Sequence, residues 1–67
     1  MKLKEFLEVA SDGLIISIEY KGEEVFDNTI KTKQGKIRKS ISKYLEMQVV
    51  DVFAYHNHLY IEIKEEN

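Results

Sequence analysis

Cysteine, proline and tryptophan are all absent from this chain of 67 residues. Without cysteine there can be no disulfide framework, thiolate zinc site or thiol nucleophile, and the composition suits a reducing compartment. Without proline, and with only 3 glycines, nothing reads as a linker, so residues 1–67 are taken as a single domain. Long apolar runs are missing as well. Runs such as Leu14 to Ile16 fall far short of the roughly 20 residues that cross a bilayer, and the amino terminus lacks a signal-peptide core. A cytoplasmic location is expected, with no membrane partner. There is also no Gly-rich phosphate loop, no nucleophile elbow and no helix carrying two histidines at metal-binding spacing. No catalytic residue, metal, cofactor or small-molecule substrate is expected, and the chain reads as a non-enzyme.

What is present suits a folded domain: 43% hydrophobic residues, 4 tyrosines and 3 phenylalanines, and 33% charged residues. A core this small supplies only about 3–5 kcal/mol. Lacking a disulfide or metal, the domain is expected to lean on a homodimer mate or another protein partner. Charge is segregated. Lys31, Lys33, Lys36, Arg38, Lys39 and Lys43 form a basic middle with no acid among them, so with a total of −2 the rest of the chain sums to −8.

Leu3, Phe6, Leu7 and Ala10 recur at the spacing of one helical face, which predicts a helix over residues 2–11 closed by Gly13. Leu14 to Tyr20 and Glu24 to Ile30, separated by Lys21-Gly22, read as a hairpin. A three-residue loop with Gly22 in the left-handed position would set Phe26 opposite Ile16. Ile37, Ile41 and Leu45 step by four, with Tyr44 beside them, and predict a second, basic helix over 33–45. Val49 to Tyr55, the turn His56-Asn57-His58, and Leu59 to Lys64 make a second hairpin. An offset of 34 residues superposes the halves, Leu3 on Ile37, Leu7 on Ile41, Ile15-Ile16 on Val49-Val50, and Val25-Phe26 on Leu59-Tyr60. The expected fold is α+β, order αββαββ, with a four-stranded antiparallel sheet and two helices on one face.

Strand alternation sorts the faces. Leu14, Ile16, Ile18, Phe26, Val50, Val52, Ala54, Leu59, Ile61 and Ile63 should point toward the helices. Ile15, Ser17, Val25, Asp51, Phe53, Tyr55, Tyr60 and Glu62 should point away. Phe53, Tyr55 and Tyr60 on a nominally solvent face exceed the scattered apolar residues that a monomer exposes. With Ile15 and Val25 beside them and Glu23 and Glu24 adding electrostatic steering, they are the candidate protein interface. The alternative is nucleic-acid binding by Lys33, Lys36, Arg38, Lys39 and Lys43 on the basic helix, since clustered cations are what phosphate contact needs. A helix reading bases would carry more Asn, Gln or Arg than this one does. His56 and His58 offer at most half a metal site and are read as turn residues. Glu23, Glu24 and Asp27 are read as solvated hairpin residues rather than catalytic acids.

The run Ile41-Ser42-Lys43-Tyr44-Leu45, followed by Val49-Val50-Asp51-Val52, a polar turn and Leu59-Tyr60-Ile61-Glu62-Ile63, resembles short proteins of bacteriophages and other mobile elements of low-GC Gram-positive bacteria. Some proteins of that kind are anti-CRISPR or other anti-defence inhibitors. The resemblance implies a non-enzymatic accessory or inhibitor that acts by occluding a protein partner.

Overall fold

The computed structural model describes residues 1–65. Its elements are an α-helix, α1 (Leu3–Val9), strands β1 (Ile15–Tyr20) and β2 (Glu23–Thr29), a 3-10 helix (Lys39–Tyr44), and strands β3 (Gln48–Tyr55) and β4 (His58–Lys64). The strands form one sheet in the order β2-β1-β4-β3. The two hairpins are antiparallel, but β1 and β4 pair in parallel, with Ile16 beside Leu59 and Ile18 beside Ile61. The all-antiparallel expectation is thus corrected to a mixed sheet. The cause lies in coverage. The seven residues of α1 span only about 10 Å, whereas a strand of similar length spans over 20 Å. The connection from Ile30 to Met47 runs the length of the sheet and buries Ile30, Ile41 and Tyr44 over what α1 leaves bare. A chain that leaves β2 at one end of the sheet and enters β3 at the other sets β4 parallel to β1.

α1 is shorter than the expected 2–11. Glu5 accepts from the Lys2 N–H at 2.9 Å at its start, and Ala10 is already extended at its end. The Lys2 ammonium, and beside it that of Lys4, lie 2.8 and 2.7 Å from Glu46 and hold its carboxyl down at about 2. This clamp fastens the helix start to the segment entering β3.

The basic helix expected over 33–45 is corrected too. Lys31 bridges Ile37 and the Thr32 N–H donates to the Lys36 carbonyl, so residues 31–38 are a closed loop. Only six residues wind as a 3-10 helix. With three residues per turn, Ile41 and Tyr44 eclipse one another, and both are buried. β-Branched Ile37 and Ile41 and the hydroxyls of Ser40 and Ser42 weaken an α-helix here.

Both hairpins close on two-residue loops with positive φ, Lys21-Gly22 and His56-Asn57, the backbone that matches strand twist. Each hairpin also carries a bulge. In the first, Tyr20 faces Glu23 and Glu19 faces Glu24, after which Ile18 faces Phe26 and Ile16 faces Asn28. Phe26 therefore lies opposite Ile18 rather than Ile16. Val25 is the extra residue and packs against the core. In the second, Val49 faces Ile63 and Asp51 faces Glu62, so Val50 is skipped. Val50 was expected inside, but it is 49% exposed, and Val49 takes its place against the core. Ala54, also expected inside, is exposed at the strand end.

The core joins Leu3 and Leu7 of α1, Ile41 and Tyr44, and Ile16, Ile18, Ile61 and Ile63 of the central strands. Complete burial of such a side chain is worth about 1.5–3 kcal/mol. The 34-residue offset is no symmetry of this fold, because β1 is central whereas its counterpart β3 is an edge. Ile16 is accordingly fully buried where Val50 is half-exposed. Among the described residues, no helix is long and apolar enough to cross a membrane.

Candidate binding face

The face of the sheet away from the helices is built in rows, because side chains opposite one another across strands share a side. Thr29, Ile15, His58 and Tyr55 form the first row; Asp27, Ser17, Tyr60 and Phe53 the second; Glu24, Glu19, Glu62 and Asp51 the third. The parallel pairing of β1 with β4 aligns them.

Rings dominate the second row and its neighbours. Phe53 stacks on Tyr60 with centroids 4.8 Å apart, and Tyr60 stacks on His58 at 4.4 Å, both tilted by only 12°. Tyr55 meets His56 edge-on at 4.1 Å. Phe53 is 58% and Tyr55 63% exposed, while Tyr60 is half-buried between its neighbours. Ile15 is exposed in the first row. Of the residues placed in the strip from sequence, Val25 is not on this face, being drawn to the core by its bulge. Glu23 faces Tyr20 on the helix side at the loop, whereas Glu24 is in the acidic row.

Four carboxylates in one row is an arrangement that sequence reasoning missed. Asp51, Glu62 and Glu19 alternate outward on their own strands, but only the pairing of β1 with β4 sets them abreast. Like charges directly opposite one another are destabilising, so the row is no device for stability. Beside it lies a concavity of about 200 Å³, lined by Glu19, Glu24, Asp51 and Glu62 together with Phe53 and Tyr60. Ring faces and carboxylates together suit a cationic group set among apolar ones, through cation–π attraction and charge-assisted hydrogen bonds.

The second missed feature is polar. Ser17, only 5% exposed, donates from Oγ to Asp27 Oδ1 at 3.1 Å, and its Oγ lies 2.6 Å from His58 Nε2. Asp27 Oδ1 lies 3.5 Å from that same nitrogen. A relay triad needs the serine on one imidazole nitrogen and the carboxylate on the other. Here both face Nε2. While the hydroxyl proton is directed at Asp27, the Ser17 Oγ is left to accept from His58 Nε2, which needs the tautomer protonated there. The cluster ties β2, β1 and β4 together. Among the described residues, no group of three or more Asp, Glu or His is placed to hold a metal ion.

No known protein family, curated protein or solved structure matches this chain. Its own geometry is what bears on function.

The basic residues fall elsewhere. Lys31 donates to the Ala10 carbonyl at 3.0 Å and lies 3.4 Å from Asp12, and Arg38 donates to Thr29 Oγ1 at 3.3 Å, so both are engaged within the fold. Lys33, Lys36, Lys39 and Lys43 are exposed, the first two on the loop and the last two on the 3-10 helix. Lys43 covers the Tyr44 ring at 5.2 Å. They form no continuous helical face.

Proposed function

We propose that this chain is a non-enzymatic binding protein whose helix-free sheet face docks a protein partner that is basic and apolar at the contact. The observation that carries this reading is the stacked Phe53 and Tyr60 pair opening onto the row Glu24, Glu19, Glu62 and Asp51, which line one concavity. Aromatic residues give contact area at low entropic cost and are enriched at interfaces, while the acidic row steers a cationic surface toward them. Action by occlusion, as a mobile-element accessory or inhibitor in the cytoplasm, accords with a small face on which the Ser17 hydroxyl and the Asp27 carboxylate meet the same nitrogen of His58.

The second reading is nucleic-acid binding. It is favoured by one observation, the four exposed lysines Lys33, Lys36, Lys39 and Lys43 in the loop and 3-10 helix. The experiment is an amide NMR titration of the full chain with a short Lys/Arg/Leu peptide, a Glu/Leu peptide of equal length, and a single-stranded oligonucleotide. The first is expected to shift Ser17, Phe53, Tyr60 and Glu62, and Phe53→Ser with Tyr60→Ser to abolish the effect. Shifts confined to residues 33–43 on adding the oligonucleotide, lost at physiological salt, would replace the docking reading with the second.

A further inference from the structure

The two edges of the sheet are not alike. β2 carries Glu23, Glu24 and Asp27 and is bent by the bulge at Val25, which are the devices that keep an edge from pairing. β3, the longest strand at eight residues, has no lysine, arginine or proline. Its first part is covered. The Val49 N–H donates to the Met1 carbonyl at 2.8 Å, Lys2 bridges Gln48, and the bulge at Val50 ends this cover. From Asp51 to Tyr55 the edge is open among the described residues. The Val52 N–H donates to its own neighbour's carboxylate, Asp51 Oδ1, at 3.0 Å. Two of the most exposed large apolar side chains, Phe53 and Tyr55, stand on this same segment.

We propose that Asp51–Tyr55 pairs antiparallel with the same segment of a second copy, about a two-fold axis perpendicular to the sheet at Phe53, to make one continuous sheet of eight strands. The register follows from what surrounds the edge. Opposed residues must share a face, so the axis passes through a residue. An axis at Val52 would drive the partner copy's hairpin turn into the Met1 and Lys2 cover. An axis at Ala54 would leave little but the turn to pair. At Phe53 all five open residues are used, and the alternation that turns the Val52 N–H outward makes Val52 and Ala54 the hydrogen-bonded pairs. The two Phe53 residues then meet as a non-hydrogen-bonded pair, where side chains come closest.

The faces select the direction. An antiparallel mate sets Asp51 across from Tyr55, so the acidic row of one face continues into the end of the other that holds both imidazoles, His56 and His58. A parallel mate joined through this same edge would be turned over, with its helices on the other side, so that residues abreast would no longer share a face. The shared edge would also supply the apolar burial that so short a chain needs.

The inference is independent of the docking reading, since it is tested with no partner present. Light scattering on the full chain is expected to give twice the monomer mass of 7.9 kDa. Phe53→Glu alone and Phe53→Lys alone should each give the monomer mass with unchanged far-UV circular dichroism, because like charges meet at the axis. An equal mixture of the two should return to the double mass. In the wild type, the Val52 and Ala54 amides should exchange with solvent roughly tenfold or more slowly at high than at low protein concentration. A monomeric wild type, a single variant that stays dimeric, a mixture that stays monomeric, or concentration-independent exchange at Val52 and Ala54 would each overturn the proposal.

Discussion

Ile18 sits where the two hairpins meet, fully buried and flanked by Phe26 on β2 and Ile61 on β4. Shortening it to alanine removes three carbon groups at about 0.8 kcal/mol each, or about 2.4 kcal/mol. The cavity left between two central strands brings the cost to about 3–4 kcal/mol, within the range of buried aliphatic truncations. A domain of this size holds only about 3–5 kcal/mol in total, so Ile18→Ala should stand at the brink of unfolding at room temperature. Ile18→Val is the measurable version, at about 1 kcal/mol. Val50→Ala is the control: strict alternation puts Val50 in the core, but the bulge turns it out to 49% exposure, so its cost should stay within about 0.5 kcal/mol. Urea unfolding followed by circular dichroism, at one fixed protein concentration so that any self-association is constant, reads all three. Should Val50→Ala cost as much as Ile18→Val, the placement of the bulge and of the core boundary is wrong.

Two further outcomes are expected. Because the Glu46 carboxyl is held down at about 2 by Lys2 and Lys4, its contribution to stability is complete above the ordinary value of 4.5 and is lost as pH falls from there toward 2. A carboxyl NMR titration should give a midpoint near 2 that moves back toward 4.5 in Lys2→Ala with Lys4→Ala; an unmoved midpoint would refute the clamp. Ser17→Ala should leave the hydrolysis of an activated ester at the level given by the histidines alone, while the Asp27 and His58 side-chain resonances shift. A large loss of hydrolysis would mean that the serine is wired for catalysis after all.

Much of the candidate binding face was legible because alternation is local. Phe53, Tyr55 and Ile15 occupy the helix-free side as their parity requires, and Tyr60 shares it. Val25 was misplaced because a bulge shifts a single residue, and nothing in Glu24-Val25-Phe26 announces one. The second helix was misread for a different reason. Steps of four at Ile37, Ile41 and Leu45 mimic an α-helical stripe, yet Ile37 is taken by its bridge to Lys31, and the burial of Ile41 with Tyr44 follows a period of three. In so short a segment, closing the loop outweighs helix propensity.

From the residues alone came the α+β class, the two hairpins though not the loop length and register of the first, most of the aliphatic core, and the side on which the rings stand. These depend on periods of two and near four and on residues that tolerate positive φ, all properties of neighbours in sequence. The tertiary structure alone decided that β1 lies parallel to β4, which strands became the edges, and how Glu24, Glu19, Glu62 and Asp51 came to stand abreast. Those outcomes turn on contacts between residues some forty apart, and on how far a two-turn helix can reach across a sheet. No local pattern encodes either.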